Sequence, residues 1–219
     1  MPSAAAHPLA RMPGLKPLVD KALRHFLLSG AMLLLGLIAV LPRAASANEA
    51  PPHVRTQIAD AALAGTGRYT WFAFHVYDGA LYAPAGKYAA GRPFALELIY
   101  ARSLKGADIA QRSIDEIAKL GIGSEAERAV WLAVLQKLFP DVAKNDRLTG
   151  VSLLSTAAAG TATGTGAGAG TTPAAPFYFN GKPLGEITDP RLAQAFFAIW
   201  LDERTSAPAF RRKLLGLDP

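Results

Sequence analysis

The 219-residue chain contains no cysteine, which excludes a disulfide framework, a thiol nucleophile and a thiolate metal site. Histidine is nearly as scarce: beyond residue 47 only His53 and His75 remain, too few for a multi-histidine metal centre. There is no HExxH, no GxSxG, no carboxylate-rich calcium loop and no phosphate loop. A loose GxGxxA match begins at Gly164, but no strand precedes it within reach and no helix follows, so it does not read as a phosphate cradle. No metal and no cofactor is expected. An excess of one charge is also missing from most of the chain. The formal net charge is +6, yet Arg11, Lys16, Lys21, Arg24 and Arg43 against Asp20 place about four of those charges in residues 1–47. The remainder is near neutral and interspersed, which excludes a nucleic-acid footprint.

Long apolar runs are absent but for one. Phe26 to Leu41 follows a basic stretch ending at Arg24-His25, is short for a spanning helix, and is stopped by Pro42. Ala45-Ser46-Ala47 is a small-x-small cleavage site. Residues 1–47 therefore read as a signal peptide cleaved after Ala47, giving a periplasmic or secreted protein that meets the membrane only transiently through that peptide. An uncleaved anchor with the same domain outside the membrane is the alternative. Residues 48–64, rich in alanine and proline, read as a flexible lead-in.

Residues 65–219 read as one domain of adequate size for a core. Its organising stretch is Gly65 to Pro84, GTGRYTWFAFHVYDGALYAP, dense in aromatic and β-branched residues. Alternation places Phe72, Phe74 and Val76 on one face as core, and Trp71, Ala73, His75 and Tyr77 on the other as the wall of a cleft. Asp78-Gly79 is expected to break the run before Ala80 to Tyr82 resumes it. Phe94 to Arg102 is the next strand, with Phe94, Leu96, Leu98 and Tyr100 on one side and Glu97 toward solvent. Leu104 to Leu120 has helical spacing and ends at Gly121. Ser124 and Glu127 form a capping box for a helix with Val130, Trp131, Val134, Leu135 and Leu138 as its buried stripe. Asp115-Glu116 reads as solvated surface. After a strand at Asp146 to Leu154, residues 155–175 are Ala/Gly/Thr low complexity and read as an elongated hairpin loop. Phe177 to Phe179 resumes strand, Asn180-Gly181 makes a type I′ turn, and Asp189-Pro190 starts a helix. Ser206 is expected to cap the last one. The order predicts an α+β fold: a mainly antiparallel sheet with helices packed on one face.

VYDGALYAP (Val76 to Pro84) and LELIYAR (Leu96 to Arg102), followed by LFPDVAKNDRLT (Leu138 to Thr149), FYFNGKPLGEI (Phe177 to Ile187) and AFFAIWL (Ala195 to Leu201), resemble the secreted bacterial branch of the chalcone isomerase-like family. The resemblance covers about Gly65 to Gly216. It implies an open-faced β-sandwich, one large sheet under helices, with a ligand cleft between them. In catalytic relatives an arginine near the first long strand stabilises an enolate, and a threonine and a tyrosine position water and ketone. Arg68 matches that arginine; the threonine falls on or near Tyr77, and a second polar position falls near Ala198 in an apolar run. Non-catalytic relatives bind fatty acids through the arginine and a tyrosine.

Together these readings imply a non-catalytic binder of a fatty acid or similar amphipathic anion. Arg68 is expected on the acid head, and Phe72, Phe74, Tyr77, Tyr82, Tyr100, Phe196 and Phe197 as the ligand-binding set. Two alternatives stand beside it. One is an intramolecular lyase acting on a chalcone-like enone through Arg68, Tyr77 and Tyr82. The other is an envelope accessory protein whose ligand is another protein.

Overall fold

A computed structural model describes residues 49–153 and 175–218; the predicted signal peptide and nearly all of the low-complexity segment lie outside them. The described residues belong to one compact unit. Its elements in chain order are α1 (Pro52–Gln57), β1 (Ala61–Trp71), β2 (Phe74–Pro84), β3 (Phe94–Tyr100), α2 (Gly106–Lys119), α3 (Glu125–Leu138), β4 (Arg147–Ser152), β5 (Ala175–Phe179), β6 (Lys182–Ile187), α4 (Pro190–Leu201) and α5 (Pro208–Leu214). The six strands form one antiparallel sheet in the order β1-β2-β3-β4-β5-β6. The fold is α+β, as the element order predicts.

Strand alternation decides what each face carries. Tyr77, Gly79, Leu81, Leu96, Leu98, Tyr100, Leu148 and Phe177 face α2 to α5 and build the main core with Trp131, Phe196, Phe197 and Phe210. Close approach of α5 is possible because Gly67 and Gly79 are paired across β1 and β2. A Cβ on Gly79 would lie 2.5 Å from Phe210 Cζ.

The opposite face is not bare. Ala50, Val54 and Ile58 cover Ala80, Tyr82, Ala95, Val151 and Tyr178 in a second, smaller core. The segment expected to be a flexible lead-in is thus packed from Ala50 onward, with Val54 fully buried. That cover also corrects the reading of Glu97, which is only 1% exposed. Its carboxylate accepts hydrogen bonds from Arg147 (2.9 Å) and Thr149 (3.3 Å), as a buried charge requires.

The organising stretch breaks at a different place from the one expected. Asp78-Gly79 runs straight through β2, paired with Arg68 and Gly67. The chain reverses instead at Phe72 and Ala73, whose φ values of +47° and +65° make a two-residue hairpin between Trp71 and Phe74. Positive φ at both central positions is the type I′ geometry. As a result Phe72 is 79% and Phe74 65% exposed, not core.

Local signals elsewhere hold. Ser124 and Glu127 make a reciprocal capping box, Gly121 takes a φ of +72°, and Asn180-Gly181 turn with φ of +51° and +77°. Asp189 caps α4 and accepts from Trp131 Nε1 at 2.9 Å. The buried stripe of α3 is narrower than expected: Trp131 and Leu135 are buried, while Val130 and Val134 are exposed. Those two lie one residue before the buried pair, about 100° around the helix. Ser206 does not cap α5. Its hydroxyl donates to Glu116 at 2.6 Å, and Ala207 occupies the cap position.

Candidate functional site

Between the sheet and α2, α4 and the chain leading into α5 lies a cavity of about 260 Å³. Its floor is sheet: Tyr69 and Trp71 from β1, Val76 and Tyr77 from β2, Leu98 and Tyr100 from β3, Leu148 from β4. Its roof is helix: Ile109, Arg112, Ser113 and Glu116 from α2, Phe196, Ile199 and Trp200 from α4, with Thr205, Ser206 and Ala207 beyond. The walls are mainly apolar, with polar groups gathered along α2, the pattern of a site for a molecule with one polar end.

Tyr69 and Tyr77 face each other across β1 and β2 with stacked rings 4.8 Å apart. The Tyr77 hydroxyl accepts from Trp200 Nε1 at 2.9 Å. Burial pushes the Tyr77 phenol far above its ordinary value, and the Tyr100 phenol likewise, so both stay protonated at neutral pH. They are hydrogen-bonding walls and not phenolate bases.

The charged end is built on α2. Arg112 and Glu116, one turn apart, pair at 2.7 Å. Glu116 also accepts from Lys119 (2.9 Å) and Ser206 (2.6 Å). Burial pushes the Glu116 carboxyl up, but the Ser206 and Lys119 hydrogen bonds and the Arg112 charge outweigh it and hold the group below its ordinary value. Arg112 is the only cation among the described lining residues, beside the carboxylates of Asp108 and Glu116. Its guanidinium lies 5.0 Å over the Trp71 ring, at the edge where Trp71 is 53% exposed. Trp71, Asp108 and Ser206 are the exposed lining residues, and the cavity opens along them.

Of the residues expected to bind ligand, Tyr77, Tyr100 and Phe196 line the cavity. Phe197 packs beside it, against Phe94 and Phe177. Tyr82 belongs to the opposite face, where burial and Glu97 push its phenol up to about 12. Arg68 does not reach the cavity. It is opposite Asp78, one residue from the Tyr69–Tyr77 pair, and alternation turns it to the other face. There it is exposed and donates from Nε to Asp78 at 3.0 Å. Arg68, Tyr77 and Tyr82, named for an enone isomerase, are therefore not brought together. His75 stands 3.1 Å from the same Asp78 carboxylate without hydrogen-bond geometry, also outside the cavity. Arg112, Ser113, Glu116 and Ser206 were not foreseen. The signal was present: Ile109, Ser113 and Glu116 continue one helical stripe, and Arg112 pairs with Glu116 at i,i+4.

The sequence profile of chalcone isomerase-like proteins matches residues 45–216. A protein of Haemophilus influenzae described as uncharacterized is 29% identical over 153 residues, covering 69% of this chain. The match spans 66% of that relative's length, slightly less than two thirds. Among solved structures, a fatty-acid binding protein of Arabidopsis thaliana superposes with a TM-score of 0.51 at 12% identity, over 71% of this chain and 87% of that one. At that identity the likeness is one of fold.

Proposed function

Because the chain belongs to the chalcone isomerase-like family, in a fold shared with a fatty-acid binding protein, we propose that it binds a fatty acid or a similar amphipathic anion without transforming it. The observation that carries this reading is the cavity itself: mainly apolar walls, with one cation, Arg112, among the polar groups along α2. A guanidinium can hold a carboxylate by two parallel hydrogen bonds. Glu116 keeps Lys119 and Ser206 as partners when Arg112 turns to a ligand. The volume of about 260 Å³ lies just below the usual range for drug-sized ligands, about 300–1,000 Å³, room for a single acyl chain and not for a lipid with two. Tyr77 and Trp200 are committed to each other and define the cavity wall. The folded domain, in this reading, acts after export, with residues 1–47 removed.

Native mass spectrometry of protein purified from its own cells without detergent tests both parts. Chain beginning near Asn48 with a bound mass of fatty-acid size, lost in Arg112→Ala, is the expected result. An apo spectrum, with added fatty acids also failing to bind, would overturn the carrier reading. Recovery of the chain with residues 1–47 intact would overturn cleavage.

A further inference from the structure

Among the described residues, every large aromatic side chain that is exposed stands at the β1–β2 hairpin tip: Trp71, Phe72 and Phe74. Phe72 holds a φ of +47° and Ala73 one of +65°. Such values are unfavourable for a bulky residue, and an Asn-Gly pair would take them without strain. The tip thus keeps a phenylalanine where the turn favours a small polar residue. The Phe72 ring leans on Trp71, centroids 5.0 Å apart, and otherwise projects outward.

Two guanidinium groups flank the rings. Arg112 lies 5.0 Å over Trp71 and Arg102 lies 6.0 Å over Phe74. Arg102 is exposed and has no acidic partner among the described residues. A convex two-residue turn is too narrow for an ordinary protein interface of roughly 800 Å² per partner. It is well shaped for a bilayer surface, where aromatic rings are favourable at headgroup depth and adjacent cations meet anionic lipid. Trp71, an exposed lining residue, stands with Arg112 at one edge of the opening, so whatever receives the tip also meets that edge.

We propose that the hairpin tip inserts into the surface of an anionic lipid bilayer and holds the cavity mouth against it. An amphipathic ligand then passes between bilayer and cavity beside Trp71 and Arg112. The passage rests on the binding reading above; the insertion does not. It gives the folded domain a membrane contact beyond the transient one expected of a signal peptide.

The test uses residues 48–219, whose two cores are drawn wholly from within that range, and vesicles of equal parts phosphatidylcholine and phosphatidylglycerol. Trp131 and Trp200 are buried, so quenching by brominated lipid reads chiefly on Trp71. Phe72→Asn with Phe74→Ser removes both rings, neither of which lines the cavity, and asparagine suits the turn. The expected result is vesicle co-sedimentation with tryptophan quenching, weakened roughly tenfold or more in the double variant, with the melting temperature and fatty-acid uptake from solution unchanged. Arg102→Glu, which leaves the hairpin intact, is expected to weaken binding to these vesicles more than to pure phosphatidylcholine. Wild-type protein that stays in the supernatant, or a double variant that binds equally well, overturns the proposal while leaving ligand binding to its own assay. A wild-type dimer that the double variant dissolves, seen by sedimentation velocity, assigns the tip to a second copy and overturns it as well.

Discussion

Arg112 is the residue on which the binding reading can be tested most sharply. Replacing it by alanine removes the one described cation of the cavity lining and its 2.7 Å pair with Glu116. The second loss should matter little to the fold. The arginine side chain is 43% exposed, Glu116 keeps Lys119 and Ser206, and part-exposed ion pairs contribute about 0–1 kcal/mol. The first loss should be large. A hydrogen bond to a charged group contributes about 1.5–3 kcal/mol, so Kd for a fatty acid should rise roughly 10- to 150-fold. Arg112→Lys should fall between, keeping the charge and losing the planar fork. Titration calorimetry with a fatty acid and the alcohol of the same chain length separates head from tail. Wild type should prefer the acid, and Arg112→Ala should hold the two alike. Arg68→Ala, on the opposite face, should leave both affinities unchanged. If wild type does not distinguish acid from alcohol, or Arg112→Ala retains full affinity for the acid, the assignment of the head group to Arg112 is refuted.

Three further outcomes test the frame around the cavity. Gly79→Val should destabilise the protein by about 1–3 kcal/mol through overpacking, because its Cβ meets Phe210 at 2.5 Å; urea unfolding measures it. Glu97→Ala should cost about 1–3 kcal/mol, since it strips the partner from Arg147 and Thr149 under α1, and an unchanged urea midpoint would mean that water replaces the carboxylate freely. Burial holds the His53 imidazole below its ordinary 6.5, with Glu97 pulling it up and Arg147 pushing it down. The unfolded chain therefore binds the proton first, and stability should fall as pH drops below 6.5 toward the folded value. His53→Gln should flatten that slope in melting temperature against pH.

How much of this was legible depended on how local the cause was. The capping box at Ser124 and Glu127, the Asp189-Pro190 start, Gly121 and the Asn180-Gly181 turn follow from a few neighbouring residues, and all formed where expected. The alternation of Phe94, Leu96, Leu98 and Tyr100 likewise placed them in the core. What misled was context at a distance. Glu97 reads as solvent-facing until α1, some forty residues earlier in the chain, is laid over it. The Phe72-Ala73 turn carries none of the Asn or Gly that usually mark such a site, so the alternation runs on through it: Trp71 and Tyr77 do reach the cavity wall, but Phe72 and Phe74 are exposed and His75 lies outside the cavity. Arg68 is a different case: alternation from Tyr69 and Trp71 already turns it away from the cavity they line, and only the family resemblance places it on a ligand. Glu116, which reads as solvated surface, and Ser206, which reads as a helix cap, become part of a site only because they meet across 90 residues.

The sequential sheet has a bearing on how the protein comes to be folded. Each strand pairs with its neighbour in chain order, so no strand must be threaded between two already in place, and hairpin closure can proceed stepwise. Yet α5, which follows every strand, packs back onto the first hairpin at Gly67 and Gly79, and the Gly216 turn sits against the β1 backbone near Ala64. During synthesis the sheet can zip up early while its helix-side surface over β1 and β2 stays uncovered until α5 emerges. A chaperone acting on the nascent chain would find its longest-lived exposed apolar surface there, beside the cavity, until Phe210 and Leu214 of the final helix dock on Gly67 and Gly79.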